Sequence, residues 1–220
     1  MIDWSPLWIS LKIAAISTFF TFFLGIIAAR MVMQLKKLKF IADAVLSLPL
    51  VLPPTVLGFF LLIIFGRNSG IGQFLNTIGI NIVFTWQGAA IAATVASFPI
   101  MYRTVRGAFE QLDTELLDAA REMGCGRIRA FFSIWIPLSW PGIASGLTLS
   151  FARALGEFGA TIMIAGNIPG KTRTMSTAVY TAMQSGNRRM AFRWTAVILI
   201  ISLSTLILVN FLTGKKFRKD

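Results

Sequence analysis

The chain has no histidine, one cysteine and few charges: Asp, Glu, Lys and Arg make up 14% of its 220 residues. With no His and with Cys125 alone, a His/Cys metal site lacks its ligands, and a disulfide within the chain is excluded. Acids are scarcer than bases, nine against 21, which leaves a formal charge of +12. Such a charge can mark a nucleic-acid binder, but here the bases flank long uncharged runs and form no single stripe. The N-terminus has neither a basic region nor a small-residue cleavage site. Its first apolar run therefore reads as a retained span, not a removed signal.

What the chain has in quantity is apolar surface, 55% of its residues. A soluble domain of this size buries one core under a charged surface. Clustered charge between uncharged runs argues instead for lipid as the solvent. About 20 apolar residues cross a bilayer as a helix. Five spans are predicted: Trp8–Ala29, Ala44–Gly66, Trp86–Tyr102, Ile134–Ala154 and Trp194–Gly214. Lys12 lies inside the first and can snorkel to the interface.

Five spans put the termini on opposite sides. With the N-terminus outside, the cytoplasm receives Arg30–Lys39, Arg103–Arg129 and the basic tail from Lys215, the richer share of Lys and Arg. The bias predicts a multi-pass protein of the cytoplasmic membrane, N-out and C-in. The outer side still holds Arg67, Lys171, Arg173, Arg188, Arg189 and Arg193.

Inside the second span, Leu48-Pro49-Leu50-Val51-Leu52-Pro53-Pro54 carries three prolines that interrupt the helical ladder. In lipid, such backbone is tolerated only against other helices or a wet cavity. Two readings stay open, a kinked structural helix or a segment lining a translocation path or gate. Residues Ser69–Thr85 are polar and Gly-punctuated, as expected of an outer loop with a short amphipathic helix. The chain shows no internal repeat, so enclosing a central path would take two copies.

Dense mixed charge occurs in one stretch, Glu110–Arg129. Asp113 is a plausible N-cap, Glu115 and Asp118 suit the early turns, and Gly124 suits a left-handed terminator. The helix between is about ten residues, roughly 15 Å, too short and too charged to span. Leu112, Leu116, Ala119, Ala120 and Met123 form one apolar stripe. Such a helix can lie on the bilayer surface or dock as a knob in a soluble partner.

The spacing Asp118-Ala119-Ala120-x3-Gly124-x9-Ile134-x-Ile136-Pro137 resembles the "EAA" signature of ABC importer transmembrane subunits, E-A-A-x3-G-x9-I-x-L-P. Asp118 replaces the Glu and Ile136 the Leu. The resemblance implies that this loop (about 110–129) couples to a nucleotide-binding subunit through Asp118, Ala119, Ala120, Gly124, Ile134 and Pro137. Leu48–Gly58 (LPLVLPPTVLG), Phe98-Pro99, Phe151–Thr161 (FARALGEFGAT) and Gly166–Thr174 (GNIPGKTRT) are similar to the molybdate permeases. The second and third of these blocks are shared with the sulfate/thiosulfate permeases. The resemblance extends over nearly the whole chain. It implies an all-α integral membrane protein of the type I ABC importer transmembrane fold, one domain over 1–220 with about five, at most six, spans. It further implies a homodimer, two ATPase subunits, an extracytoplasmic oxyanion-binding protein and ATP-driven alternating access. The cargo would be molybdate, with tungstate or sulfate/thiosulfate as alternatives. No cofactor is expected, and the chain itself is not expected to be an enzyme. The end soon after the fifth span leaves no room for an added C-terminal regulatory domain.

Arg153-Ala-Leu-Gly156-Glu157-Phe-Gly159 puts opposite charges at i, i+4 within an apolar region. They form either an internal ion pair or part of an oxyanion path, with Gly156 and Gly159 allowing close packing or a helix break. With Pro49, Pro53 and Pro54 these are the candidate path residues. Lys171 and Arg173, with the neighbouring arginines, are a candidate outer mouth for a dianion, a dock for an acidic binding protein, or a solvated loop. A passive anion channel or uncoupled transporter would explain the basic mouth but not the spacing from Asp118 to Pro137. An intramembrane enzyme lacks a base beside its lone thiol.

Overall fold

The computed structural model describes residues 3–35, 37–113, 115–116, 120 and 122–214, and among these every regular element is helical. Asp118, Ala119, Lys36 and the basic tail from Lys215 lie outside the described residues. In chain order the helices are α1 (Ser5–Gln34), α2 (Lys39–Val51), α3 (Pro54–Phe65), α4 (Gly70–Thr77) and α5 (Trp86–Glu110). They continue as α6 (Arg127–Leu138), α7 (Trp140–Leu155), α8 (Gly159–Ala165), α9 (Met175–Gln184) and α10 (Arg188–Gly214). Trp8–Ala29 lies within α1, and α4 is the short helix expected in the Ser69–Thr85 loop. Its start is fixed by Ser69, whose hydroxyl accepts from the Gly72 N–H at 2.8 Å.

Two of the predicted spans are not single helices. Ala44–Gly66 divides into α2 and α3, which meet at 109°. Pro53 caps α3 and Pro54 takes its first turn, where a missing N–H costs nothing, while extended backbone at Leu52 and Pro53 makes the elbow. Ile134–Ala154 divides into α6 and α7, bent by 71° at Ser139. A wide π-helical turn, Phe131–Trp135, precedes Pro137, whose ring opposes the ordinary i−4 bond to Ser133. Periodicity and hydropathy register composition, not direction, so neither break was visible as a change of course.

Helix α5 is the axis of the bundle, touched by α1, α2, α3, α7 and α8. It is 25 residues long, about 37 Å, and relies on small residues more than on large apolar ones. Ala89, Ala92, Ala93, Ala96 and Ser97 are buried, which lets helix backbones approach. The Ser17 hydroxyl of α1 donates to the Ala90 carbonyl at 3.0 Å, and Thr21 and Ser97 pair their hydroxyls at 3.2 Å. At Gly25 of α1 an added Cβ would lie 2.6 Å from Met101 Cγ. Toward the other end of α5 the packing changes to large side chains: Met101, Tyr102, Val105 and Phe109 cluster with Ile26, Val32, Trp135 and Ile143. By contrast α10 turns Phe192, Ile200, Leu203 and Ile207 outward, as a lipid-facing helix should.

Candidate functional site

The loop after α5 carries the terminators expected of it. The Asp113 carboxylate accepts from the Glu115 N–H at 2.9 Å, so Asp113 acts as a cap. Gly124 has φ +77°, and Cys125 N–H returns to the Ala120 carbonyl at 2.9 Å, the closing bond of a left-handed helix stop. Ala120 is buried, but Leu116 and Met123 on the same stripe are 53% and 82% exposed. Farther on, Trp135 of α6 packs edge-on to Phe109 with ring centroids 5.3 Å apart, and the Arg30 guanidinium lies 4.1 Å from the Trp135 ring centre. Ile134 is half-buried and Pro137 exposed in this segment.

The path candidates converge at two helix breaks. Helix α7 ends at Leu155 and α8 begins at Gly159, with Gly156, Glu157 and Phe158 between. Arg153, in the last turn of α7, forms an ion pair with Glu157. The other Glu157 oxygen accepts from the Ala160 N–H at 2.9 Å. The cation thus sits at a helix C-terminus and the anion at a helix N-terminus, the sign each dipole favours. The Glu157 side chain is 1% exposed and that of Arg153 31%. Across from this break is the proline elbow. A Cβ on Gly159 would come within 2.7 Å of Pro54 Cβ, and one on Gly58 within 2.8 Å of Ala160 Cα. Pro54 and Gly159 are therefore in contact, joining two segments that are far apart in the chain. Pro49, one turn earlier, sits inside α2.

Lys171 and Arg173 lie on a loop built by its own hydrogen bonds. The Ile168 carbonyl accepts from the N–H groups of Lys171, Thr172 and Arg173, and Gly170 supplies the positive φ of the turn. Arg173 Nε donates to Asn167 Oδ1 at 2.9 Å, so its guanidinium is partly committed within the loop, while Lys171 is exposed. The Met175 N–H bonds Ser10 Oγ at 2.8 Å, tying the loop to α1.

A third cluster was not foreseen. Asp43 of α2 accepts from the Tyr102 hydroxyl at 3.0 Å and pairs with Arg106 of α5. Arg106 Nε and Lys39 Nζ both reach Glu110, each at 3.0 Å. Their hydrogen bonds, that from Lys39 foremost, hold the Glu110 carboxyl below its ordinary range, against some desolvation. Lys39/Asp43 and Tyr102/Arg106/Glu110 are each spaced by four residues, the available sequence signal. Only the packing of α2 on α5 turns the two rows face to face. Helix α2 has no buried residue, so this network is its main polar attachment to the bundle.

The family model for the binding-protein-dependent transport system inner membrane component matches residues 21–215. The chain belongs to this family. Among curated relatives it is 43% identical over 213 residues to the molybdenum transport system permease protein ModB of Escherichia coli K12, covering 96% of this chain and 93% of that protein. It is 41% identical to the putative molybdenum transport system permease protein YvgM of Bacillus subtilis 168, over 94% of this chain and 92% of the relative. The sulfate transport system permease protein CysT of Salmonella typhimurium LT2 is 38% identical over 80% of this chain and 64% of its own length. Among solved structures, the inward-facing MetNI methionine ABC transporter aligns with a TM-score of 0.78 at 19% identity, covering 96% of this chain and 94% of that one. A bacterial ABC transporter involved in alginate import aligns at 0.76 and 17%, covering 96% and 78%. The fold is that of a type I ABC importer transmembrane subunit. As a member of the inner membrane component family, the protein is a multi-pass, non-catalytic transport subunit of the inner membrane, and its broken helices lie within that fold.

Proposed function

We propose that this chain is the permease subunit of an importer that carries molybdate, or a similar tetrahedral oxyanion, by alternating access driven by ATP hydrolysis on a partner. The observation that supports it most is the 43% identity to a molybdenum transport permease, sustained over 96% of the chain. In this reading the chain is one transmembrane domain that pairs with a second copy and works with two ATPase subunits and an extracytoplasmic binding protein. The N-terminus is outside and the C-terminus cytoplasmic.

The segment around 110–129 docks on the ATPase, with Asp118, Ala119, Ala120 and Gly124 at the contact and Ile134 and Pro137 carrying the stroke through α6. Leu116 and Met123, exposed on that stripe, belong to the same contact. Pro49, Pro53, Pro54, Arg153, Gly156, Glu157 and Gly159 form the moving joint of the path, and Lys171 and Arg173 the outer mouth. Neutralising Arg153 within the joint suits a path that attracts an anion without trapping it.

Uptake of molybdate by the full transporter tests the reading, with tungstate, sulfate and thiosulfate as competitors. Gly124→Asp, or a bulky residue at Ala120, is expected to abolish uptake and stimulated ATPase activity while membrane insertion persists. Met123→Ala, at a largely exposed position, should weaken both. Undiminished uptake in all three would overturn the docking role. Uptake blocked by sulfate but not by molybdate would move the cargo to the sulfate relatives, whose 38% identity makes this the second reading.

A further inference from the structure

A groove of about 350 Å³ runs along the outside of the bundle between α1 and α5. Ile16, Phe20 and Leu24 form one wall and Ala90, Ile91 and Val95 the other. Its one hydroxyl, on Thr94, donates to the Ala90 carbonyl at 2.7 Å. Phe20 and Leu24 are about half exposed, so among the described residues no element covers the groove.

At the end where α1 and α5 are near the start of α5, the chemistry changes. Lys12 Nζ stands 3.6 Å from the centre of the Trp86 ring. Lys12 makes no ion pair among the described residues, although acids elsewhere in the chain are paired. Trp86, the first residue of α5, and Gln87 belong to the same groove. A lysine above a tryptophan is the chemistry of a membrane interface, where an amphipathic ring and a snorkelling ammonium meet headgroups. From Lys12 to Leu24 the helix descends about 18 Å, through an apolar trough.

We infer that this groove is a binding site for an anionic phospholipid, with the phosphate on Lys12 and an acyl chain lying between α1 and α5. The charge favours this occupant: an unpaired ammonium at the mouth of an apolar trough asks for an anion carrying a hydrocarbon tail. A second copy of the chain would bring its own exposed apolar helix to the trough, but no anion is implied for Lys12.

The test uses the transporter purified in mild detergent and returned to nanodiscs of phosphatidylglycerol and phosphatidylcholine in equal amounts. Native mass spectrometry then counts the lipids retained. The expected result is selective retention of phosphatidylglycerol, reduced about fivefold by Lys12→Gln, the order set by one basic residue near an anionic headgroup. Ile91→Phe, which narrows the trough without touching the charge, should lower retention of both lipids. Uptake by each variant reports that the protein is folded. Equal retention of the two lipids, or retention indifferent to Lys12→Gln, overturns the proposal. So does efficient disulfide linkage between two chains through Phe20→Cys in a Cys125→Ser background, which would assign the groove to a second copy.

Discussion

Among the described residues two Arg–carboxylate clusters hold this bundle, and they differ in reach and in burial. Arg153 and Glu157 lie one turn apart at the α7–α8 break, and Glu157 is sealed from water. Arg106 bonds across 63 residues to Asp43, in a network whose charged members keep between 18% and 40% of their side-chain surface exposed. The first cluster fixes a break within a segment, and its carboxylate has no access to water. The second ties a peripheral helix to the axis, and water can replace any one of its bonds. A sealed charge makes its partner indispensable, whereas a wet network makes each member replaceable.

This contrast can be broken first at Glu157. Glu157→Ala leaves Arg153 without its anion and removes the Ala160 cap, and is expected to cost about 3–5 kcal/mol in a detergent unfolding titration. Glu157→Gln, which can still accept from Ala160, should cost clearly less. Equal losses would mean that the charge, and not the cap, holds the break. Next is Gly159→Ala, whose methyl must push back Pro54, for about 1–3 kcal/mol and a matching fall in uptake if the elbow and the break move as one joint.

A smaller effect is expected at the wet cluster. A double-mutant cycle of Asp43→Asn and Arg106→Gln should return a coupling energy of about 1 kcal/mol, well below the cost at Glu157. A coupling as large as that of Glu157 would erase the distinction between the clusters. The smallest effect is the pH dependence of Glu110. Its folded pKa lies below the ordinary 4.5, so its contribution is complete above that value and fades as pH falls through the folded pKa. Glu110→Gln should lower stability near neutrality by that small contribution and flatten its fall with pH on the acid side.

These residues also mark how far the sequence could be read. Arg153 and Glu157 are four apart in an apolar run, so their pairing was open to inspection. Asp113 and Gly124 announced the ends of a helix by residue type alone, because capping and positive φ are local requirements. Asp43 and Arg106 were equally visible as charges, but nothing in a linear pattern says that α2 folds back along α5. The prolines at 49, 53 and 54 predicted an interruption and left its angle undetermined, since 109° depends on what the two halves pack against.

By itself, then, the sequence determined that the chain lives in lipid, where its apolar runs begin and end, and that Asp118 to Pro137 has the spacing of an importer's coupling loop. Those properties depend on hydropathy and on residue types a few positions apart. Tertiary structure alone decided that Pro54 meets Gly159, that Lys39 and Asp43 join the α5 network, and that Lys12 caps an open apolar trough. Each of these depends on the direction of a helix after a break or on which faces meet, and that is fixed by packing among distant segments.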